Sequence, residues 1–289
     1  MSQLATVDTS LPAATTLPAR PVSMHPSRAF AGLFLRDLFV LRRELLPFII
    51  RICMNPLLFL FVFTFIMPHM SGGAAMNPTS AMGASFSTVL LPGLMAVAIM
   101  FSGIAAVALP LAQEFGVTRE IDDRVMCPLP VAAVAIEKIC FSAVQSMIAA
   151  AIVFPLAYFV PATPVVAHVS SWPFLLLILV LASLTAGALG LTIGTSVKPQ
   201  QIGLIFGVVV MPITFLGCVY YPWAALNHIR WLQVAVLVNP IVYMSEGLRA
   251  ALTPTLAHMP EAVVLLMLSL FLVLLTCLGV RGFLRRVIG

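Results

Sequence analysis

Two long stretches of this chain, Cys53 to Gln113 and Ile139 to Val197, contain no Asp, Glu, Lys or Arg. Water cannot be the main solvent of such a polypeptide. A helix needs about 20 apolar residues to cross the hydrocarbon core of a bilayer, so each stretch is long enough for two crossings and a turn. The rest of the composition agrees. Of 289 residues, 61% are hydrophobic and 9% charged, whereas soluble domains carry about a quarter charged residues. The expected class is an all-α integral membrane protein.

Six windows have the length of a span: 48–67, 86–110, 139–160, 172–195, 201–221 and 262–281. They are divided where Gly, Pro and Ser collect, at HMSGGAAMNPTSAMG (69–83) and VPATPVVAHVSS (160–171), and again at SVKPQQ (196–201). Lys and Arg mark the cytoplasmic side of a membrane protein. The segments before span 1, between spans 2 and 3, between spans 4 and 5, and after span 6 hold 13 of the 15; Arg230 and Arg249 are the others. This distribution predicts a multi-pass membrane protein with both termini cytoplasmic. The net charge of +5 is then a topology signal, and nucleic acid is excluded as a partner.

Residues 1–26, rich in Thr, Ala, Pro and Ser, lack the apolar core of a secretory signal and read as a disordered cytoplasmic tail. Residues 27–46 follow as an amphipathic connecting helix. Phe30, Phe34, Leu38, Leu41 and Leu45 recur at helical spacing on one face, with Arg28, Arg36, Arg42 and Arg43 opposite, toward anionic membrane lipids. Residues 47–289 form the transmembrane domain. Within it, Ala182, Ala186, Gly190 and Gly194 make a ridge of small residues, and Gly203 and Gly207 a shorter one, both suited to close helix packing.

Several chemistries find no support. The span centres carry no ionisable side chain, which argues against ion coupling. No HExxH or GxSxG motif occurs. The five cysteines make no CxxC pair, and the Asp122–Asp123 pair lacks the further carboxylate of a DDxxD site, Met126 standing there. No catalytic residue and no metal ligand is therefore assigned. A GxxxxGK[ST] phosphate loop is also missing, so no cofactor is expected on this chain; if ATP and Mg drive it, a separate polypeptide binds them.

One dense charged island interrupts the apolar sequence, GVTREIDDRVMCPLP at 116–130. As a helix it places Val117, Ile121 and Val125 on one stripe. Arg119 with Asp123, and Glu120 with Arg124, stand four apart and can pair; Asp122 adds a fifth charge, and Pro128 and Pro130 end the run. From composition alone it is equally a solvated loop helix or a docking helix.

Three stretches resemble the ABC-2 family of exporter permeases. EFGVTREIDDRVMCPLPVAAVAIEK (114–138) is similar to that family's first cytoplasmic loop through Gly116, Thr118, Pro128 and Lys138. YYPWAALNHIRWLQVAVLVNPIVYMSEGLRAAL (220–252) is similar to its outer signature NPxxYxxEGLR, through Asn239, Pro240, Tyr243, Glu246, Gly247, Leu248 and Arg249. RDLFVLRRELLPFIIRICMNPLLFLFVF (36–63) looks like the connecting helix and first span of its drug and lipooligosaccharide exporters. The outer segment also has a local logic. Asn239 suits an N-cap, Pro240 the first helical position, and Glu246 and Arg249 can pair at three residues' separation.

The resemblance implies six spans, an N-terminal surface helix, and short re-entrant outer helices between spans 5 and 6. It implies a coupling helix at the island (Val117, Arg119, Glu120, Ile121, Asp122, Asp123, Arg124, Val125) and an outer gate (Asn239, Pro240, Tyr243, Glu246, Gly247, Arg249). The implied partners are a separate P-loop ATPase subunit, a second permease copy or paralogue, membrane lipids and a hydrophobic substrate. The expected function is export of a hydrophobic or amphipathic compound. The alternatives are a lipid-linked polysaccharide exporter of the same family, a polytopic membrane enzyme, or a scaffold without transport.

Overall fold

The computed structural model describes residues 26–62, 66, 86–118, 129–159 and 168–288, and among these every regular element is helical. Two helices come first, α1 (Pro26–Arg43) and α2 (Leu45–Phe61), hinged at Glu44. Three long ones follow: α3 (Phe86–Gln113), α4 (Val131–Phe159) and α5 (Trp172–Ser196). The next stretch is broken into a 3-10 turn (Pro199–Gln201), α6 (Ile202–Ile205), a π-helical turn (Phe206–Val210) and α7 (Met211–Phe215). A 3-10 turn (Trp223–His228), α8 (Arg230–Ala235) and a 3-10 turn (Val236–Val238) lead to α9 (Pro240–Leu252) and the long α10 (Glu261–Ile288).

Four helices, α3, α4, α5 and α10, are long and apolar enough to cross a membrane, so the chain is a helical, multi-pass membrane protein. The windows 48–67 and 201–221 meet shorter apolar elements, the 17-residue α2 and the broken stretch Pro199–Phe215. Gly203, Gly207 and Pro212 account for the breaks. Glycine weakens a helix, and Pro212 leaves the Val208 carbonyl without its helical partner. The window beginning at 139 also starts too late. Helix α4 begins at Val131 and carries Glu137 and Lys138 within it.

The helices share one end rich in cations, where Lys138, Lys198, Arg285 and Arg286 gather; it is called the basic end below. The broken stretch starts there, with Pro199 against Gly116, whose ideal Cβ would lie 2.9 Å from the Pro199 Cβ. It finishes at the opposite, distal end. There the Val219 carbonyl presses on α3, and a Cβ built at Gly93 would clash with its oxygen. Gly93 and Gly116 are separated by about 34 Å of helix axis.

Helix α3 is the centre of the bundle: 72% of its span is buried, against 22% for α10. Leu90, Leu94, Ile99, Met100, Ile104 and Leu111 are all sealed inside. Its closest partner is α5, through the small-residue ridge. A Cβ on Gly190 would meet the Ile104 Cα at 2.9 Å, and one on Gly103 would meet the Ala186 Cβ at 2.6 Å. Lipid tails are as apolar as leucine, so helices gain by close backbone contact rather than by hiding apolar area. On the other side of α5, the Thr192 hydroxyl donates to Leu275 O of α10 at 3.0 Å. Gly203 and Gly207 differ, because nothing lies within 4 Å of a Cβ at either one. The shorter ridge is therefore not used for packing within the described residues.

Helix α1 packs on α4 through a face rotated slightly from the expected one. Phe30, Phe34 and Leu41 pack inward, Phe34 meeting Phe141 edge-on at 6.4 Å, and Leu33 joins them, while Leu38 is exposed; Leu45 already belongs to α2 and is exposed too. In an apolar solvent an amphipathic helix need not collect every apolar side chain against protein, since lipid covers the remainder. Arg28, Arg36, Arg42 and Arg43 are all exposed.

The α3–α5 contact predicts a graded pair of variants. Gly190→Val forces backbone apart and is expected to destabilise by about 1–3 kcal/mol, read as a lower aggregation temperature in detergent. Gly203→Val meets open space and is expected to match the parent. Equal stability of the two would contradict the packing described.

Candidate functional site

At the distal end the chain builds a short helix under unusual constraint. The Asn239 side chain accepts the Ile241 N–H at 3.0 Å, and Pro240 takes the first helical position, where no N–H is needed. The Asn239 amide also donates to Ile213 O at 2.6 Å, pinning the start of α9 to the end of the broken stretch. All 13 residues of α9 are buried, although it is too short to cross a bilayer. Its neighbours are α3, α5 and α10. The Tyr243 hydroxyl donates to Leu237 O at 3.0 Å, while its ring lies 5.9 Å from that of Phe271. Gly247 sits where a Cβ would meet Val264 at 2.9 Å and Ile178 at 3.1 Å, so a side chain there would push α9 off both α5 and α10.

Glu246 and Arg249 form an ion pair with both side chains fully buried, 0% exposed. The sequence spacing anticipates the pair; its burial goes further. Such burial is costly unless the remaining polar atoms find partners, and every side-chain polar atom of the pair except Arg249 Nε has one. Glu246 Oε1 also accepts the Trp223 N–H at 2.9 Å, and Oε2 accepts the Met259 N–H at 3.0 Å. Arg249 Nη2 donates to Cys218 O at 3.2 Å. Cys218 has a φ of 52°, in the left-handed region that non-glycine residues seldom adopt. One ion pair thus holds three segments that are distant in sequence: the corner at 218, the turn opening at 223, and the entry to α10 at 259. Ser245 adds a fourth bond, its hydroxyl donating to Gly217 O at 2.8 Å.

The basic end holds the root of the charged island. Helix α3 passes into a π-helical turn, Glu114–Thr118, a form that favours functional positions. Lys138 Nζ donates to Glu114 Oε1 at 2.8 Å, with both side chains about 5% exposed. Of the island residues, Arg119, Glu120, Ile121, Asp122, Asp123, Arg124 and Val125 lie outside the described residues; of Val117 only the backbone, in the π-helical turn, is described. The structure therefore brings Asn239, Pro240, Tyr243, Glu246, Gly247 and Arg249 into one site. It leaves Arg28, Arg36, Arg42 and Arg43 apart from it, along α1. Among the described residues no group of three His, Cys, Asp or Glu side chains is placed to hold a metal.

Sequence reasoning missed the partners of these charges. Trp223, Met259 and Cys218 contribute backbone atoms, for which side-chain identity carries no signal. Glu114 and Lys138 were visible as the residues flanking the island, and their separation of 24 residues concealed the contact. Arg286 bonds carbonyls at the C-terminal end of α5, a contact that its place among the cations after span 6 does not signal.

The family profile described as "ABC-2 type transporter" matches residues 30–253. No curated protein matches the chain.

The geometry of the ion pair makes a specific prediction. Glu246→Ala or Arg249→Ala alone leaves a buried charge unpaired and is expected to cost about 3–5 kcal/mol, read as lost thermostability or expression. The double replacement Glu246→Met with Arg249→Met is expected to be milder than either single change. Exchanging the two charges is not expected to rescue, because the Trp223 and Met259 N–H groups would then face a guanidinium. Rescue by exchange would overturn the bonding scheme.

Proposed function

The chain belongs to the ABC-2 type transporter family, and from that premise we propose that it is the permease subunit of an ATP-driven exporter. Membership makes it a membrane permease whose family domain carries no ATPase site. In the proposed reading a separate P-loop ATPase subunit, with its ATP and Mg, supplies the energy, and a second permease copy or paralogue completes the pathway. Helix α1, which ends at Arg43 before the Glu44 hinge instead of running to residue 46, is the connecting helix on the inner surface, with Arg28, Arg36, Arg42 and Arg43 toward anionic lipid, and the chain from α2 onward is the transmembrane domain. Helix α2 and the stretch from Pro199 to Val219 complete six crossings. The second of these is supported by its contacts near both ends of α3. Both termini face the cytoplasm, so the basic end is the inner end.

The observation that carries this reading is α9: fully buried, too short to span, and stapled by a buried ion pair to the segments on either side of it. A helix that enters the distal half of the bundle and turns back is suited to form the outer end of a transport path. Asn239, Pro240, Tyr243, Glu246, Gly247 and Arg249 set its pose. The cargo is a hydrophobic or amphipathic compound, such as a drug or glycolipid. An apolar cleft of about 380 Å³, lined by Met95, Met147, Phe154, Trp172, Leu175 and Leu179, supports that class.

The island is the coupling element in this proposal. Val117, Ile121 and Val125 supply a small apolar contact, and Arg119, Glu120, Asp122, Asp123 and Arg124 set register against the ATPase, as interfacial charges generally do. A solvated loop would tolerate Ile121→Asp with Glu120→Arg at under about 0.5 kcal/mol. The double variant is expected to insert normally and to lose co-purification of the ATPase subunit; full association would sink the assignment. Orientation has its own test. Trp231 is 73% exposed, and a Trp231→Cys protein is expected to react with a membrane-impermeant maleimide in intact cells. Reaction only in inverted vesicles would reverse the topology.

A further inference from the structure

The root of the island is held by a residue far from it in sequence. Arg286, one turn from the end of α10, places Nη1 at 2.9 Å from Gly194 O, 3.4 Å from Thr195 O and 2.8 Å from Val197 O. Gly194 and Thr195 lie in the last turn of α5 and Val197 is its extended C-cap; carbonyls at this end have no helical N–H partner, and a cation at a helix C-terminus complements both them and the helix dipole. The same guanidinium lies over the ring of Phe115, 4.7 Å from its centroid. Phe115 belongs to the Glu114–Thr118 turn and also meets Phe283 of α10 at 6.1 Å, edge to face. One residue further on, Gly116 packs on Pro199, the first residue of the broken stretch. Four chain segments meet here: the end of α3, the end of α5, the start of the broken stretch, and the end of α10.

We propose that Arg286 is a positioning residue for transport, tying the island's root to the ends of α5 and α10. A displacement of the island is then passed to the helices instead of being absorbed in a loose turn. This rests on the reading of the island as the ATPase-docking element. The guanidinium is suited to the task because its flat face stacks on Phe115 while its edge serves several carbonyls at once, two demands that a lysine ammonium cannot both meet. Lys138 anchors the turn to α4 on its other side, by the bond to Glu114, so the turn moves as one piece with the helices around it.

The test uses the co-purified permease–ATPase complex in lipid nanodiscs, with Trp231→Cys as a distal reporter. Its maleimide labelling rate is compared without nucleotide and with ATP and vanadate. In the parent the rate is expected to change with nucleotide. Arg286→Ala is expected to keep the ATPase subunit bound and to reduce that change at least about fivefold, the lower range of ordinary coupling between sites. Arg286→Lys, which can still serve the carbonyls, is expected to recover part of it. Phe115→Leu retains apolar bulk and the carbonyl bonds but removes the ring face; it is expected to give an intermediate loss and decides the matter if Arg286→Ala fails to reach the membrane.

An unchanged nucleotide response in assembled Arg286→Ala or Phe115→Leu complexes would overturn the proposal. So would loss of the ATPase subunit from Arg286→Ala, which would place the residue in docking or folding, or a parent whose labelling ignores nucleotide. The underlying reading fails by a different result, retention of the ATPase by the Ile121→Asp, Glu120→Arg variant.

Discussion

The separation of α3 and α5 is set by side chains that are absent. Where the two helices cross, Gly103 faces Ala186 and Gly190 faces the Ile104 backbone. A bilayer offers no hydrophobic drive for helix association, so contact of this kind supplies dispersion energy that lipid would otherwise provide. The other long helices and α9 take their positions from that pair. Helix α4 packs on both members, α10 joins through the far side of α5, and α9 fits against α3, α5 and α10. Substituting even one methyl-bearing residue at Gly190 would alter the frame on which both ends of the molecule are built.

Each end then fixes charge in its own way. At the distal end Glu246 and Arg249 are wholly withdrawn from solvent. Backbone N–H groups and a carbonyl supply their further bonds, leaving only Arg249 Nε without a partner among the described residues; the result is rigid, since either charge without the other is costly. At the basic end the charges do a lighter job. Arg286 is only half-buried and bonds carbonyls at the C-terminal end of α5. The two ends therefore differ in how they are held: the distal one by an ion pair inside the bundle, the basic one by a guanidinium that ties the ends of α5 and α10 to the turn after α3.

How much of this was legible in the sequence follows from which atoms carry the signal. Helical class and membrane residence rest on side-chain composition, and the uncharged runs expose both. The Asn239–Pro240 start and the Glu246–Arg249 spacing rest on side chains four residues or fewer apart, so local rules reach them. The partners of Glu246 are backbone N–H groups at Trp223 and Met259, which any residue but proline could offer, and no sequence rule could select them. The rotation of α1 toward Leu33 was hidden for a related reason. Periodicity reports where apolar residues lie, and in a bilayer protein and lipid compete for that face on nearly equal terms. Gly203 and Gly207 show the same ambiguity. Their pattern equals that of the ridge on α5, yet no described atom approaches them.

The broken stretch from Pro199 to Phe215 joins these observations. It is fastened near both ends, by Pro199 on Gly116 at the basic junction and by Asn239 on Ile213 at the distal staple. Between them Leu204 and Val208 are 66% and 63% exposed, and the helix changes from 3-10 to α to π and back to α within a few turns. Apolar exposure costs little in lipid, so what this stretch lacks is packing, and segments with few packed contacts rearrange at low free energy. A weakly packed element spanning a firm distal anchor and a lighter basic one deforms first when the basic end is displaced. Its deformation reaches the Asn239–Ile213 anchor, so a displacement at the basic end alters the distal segment that carries Trp231.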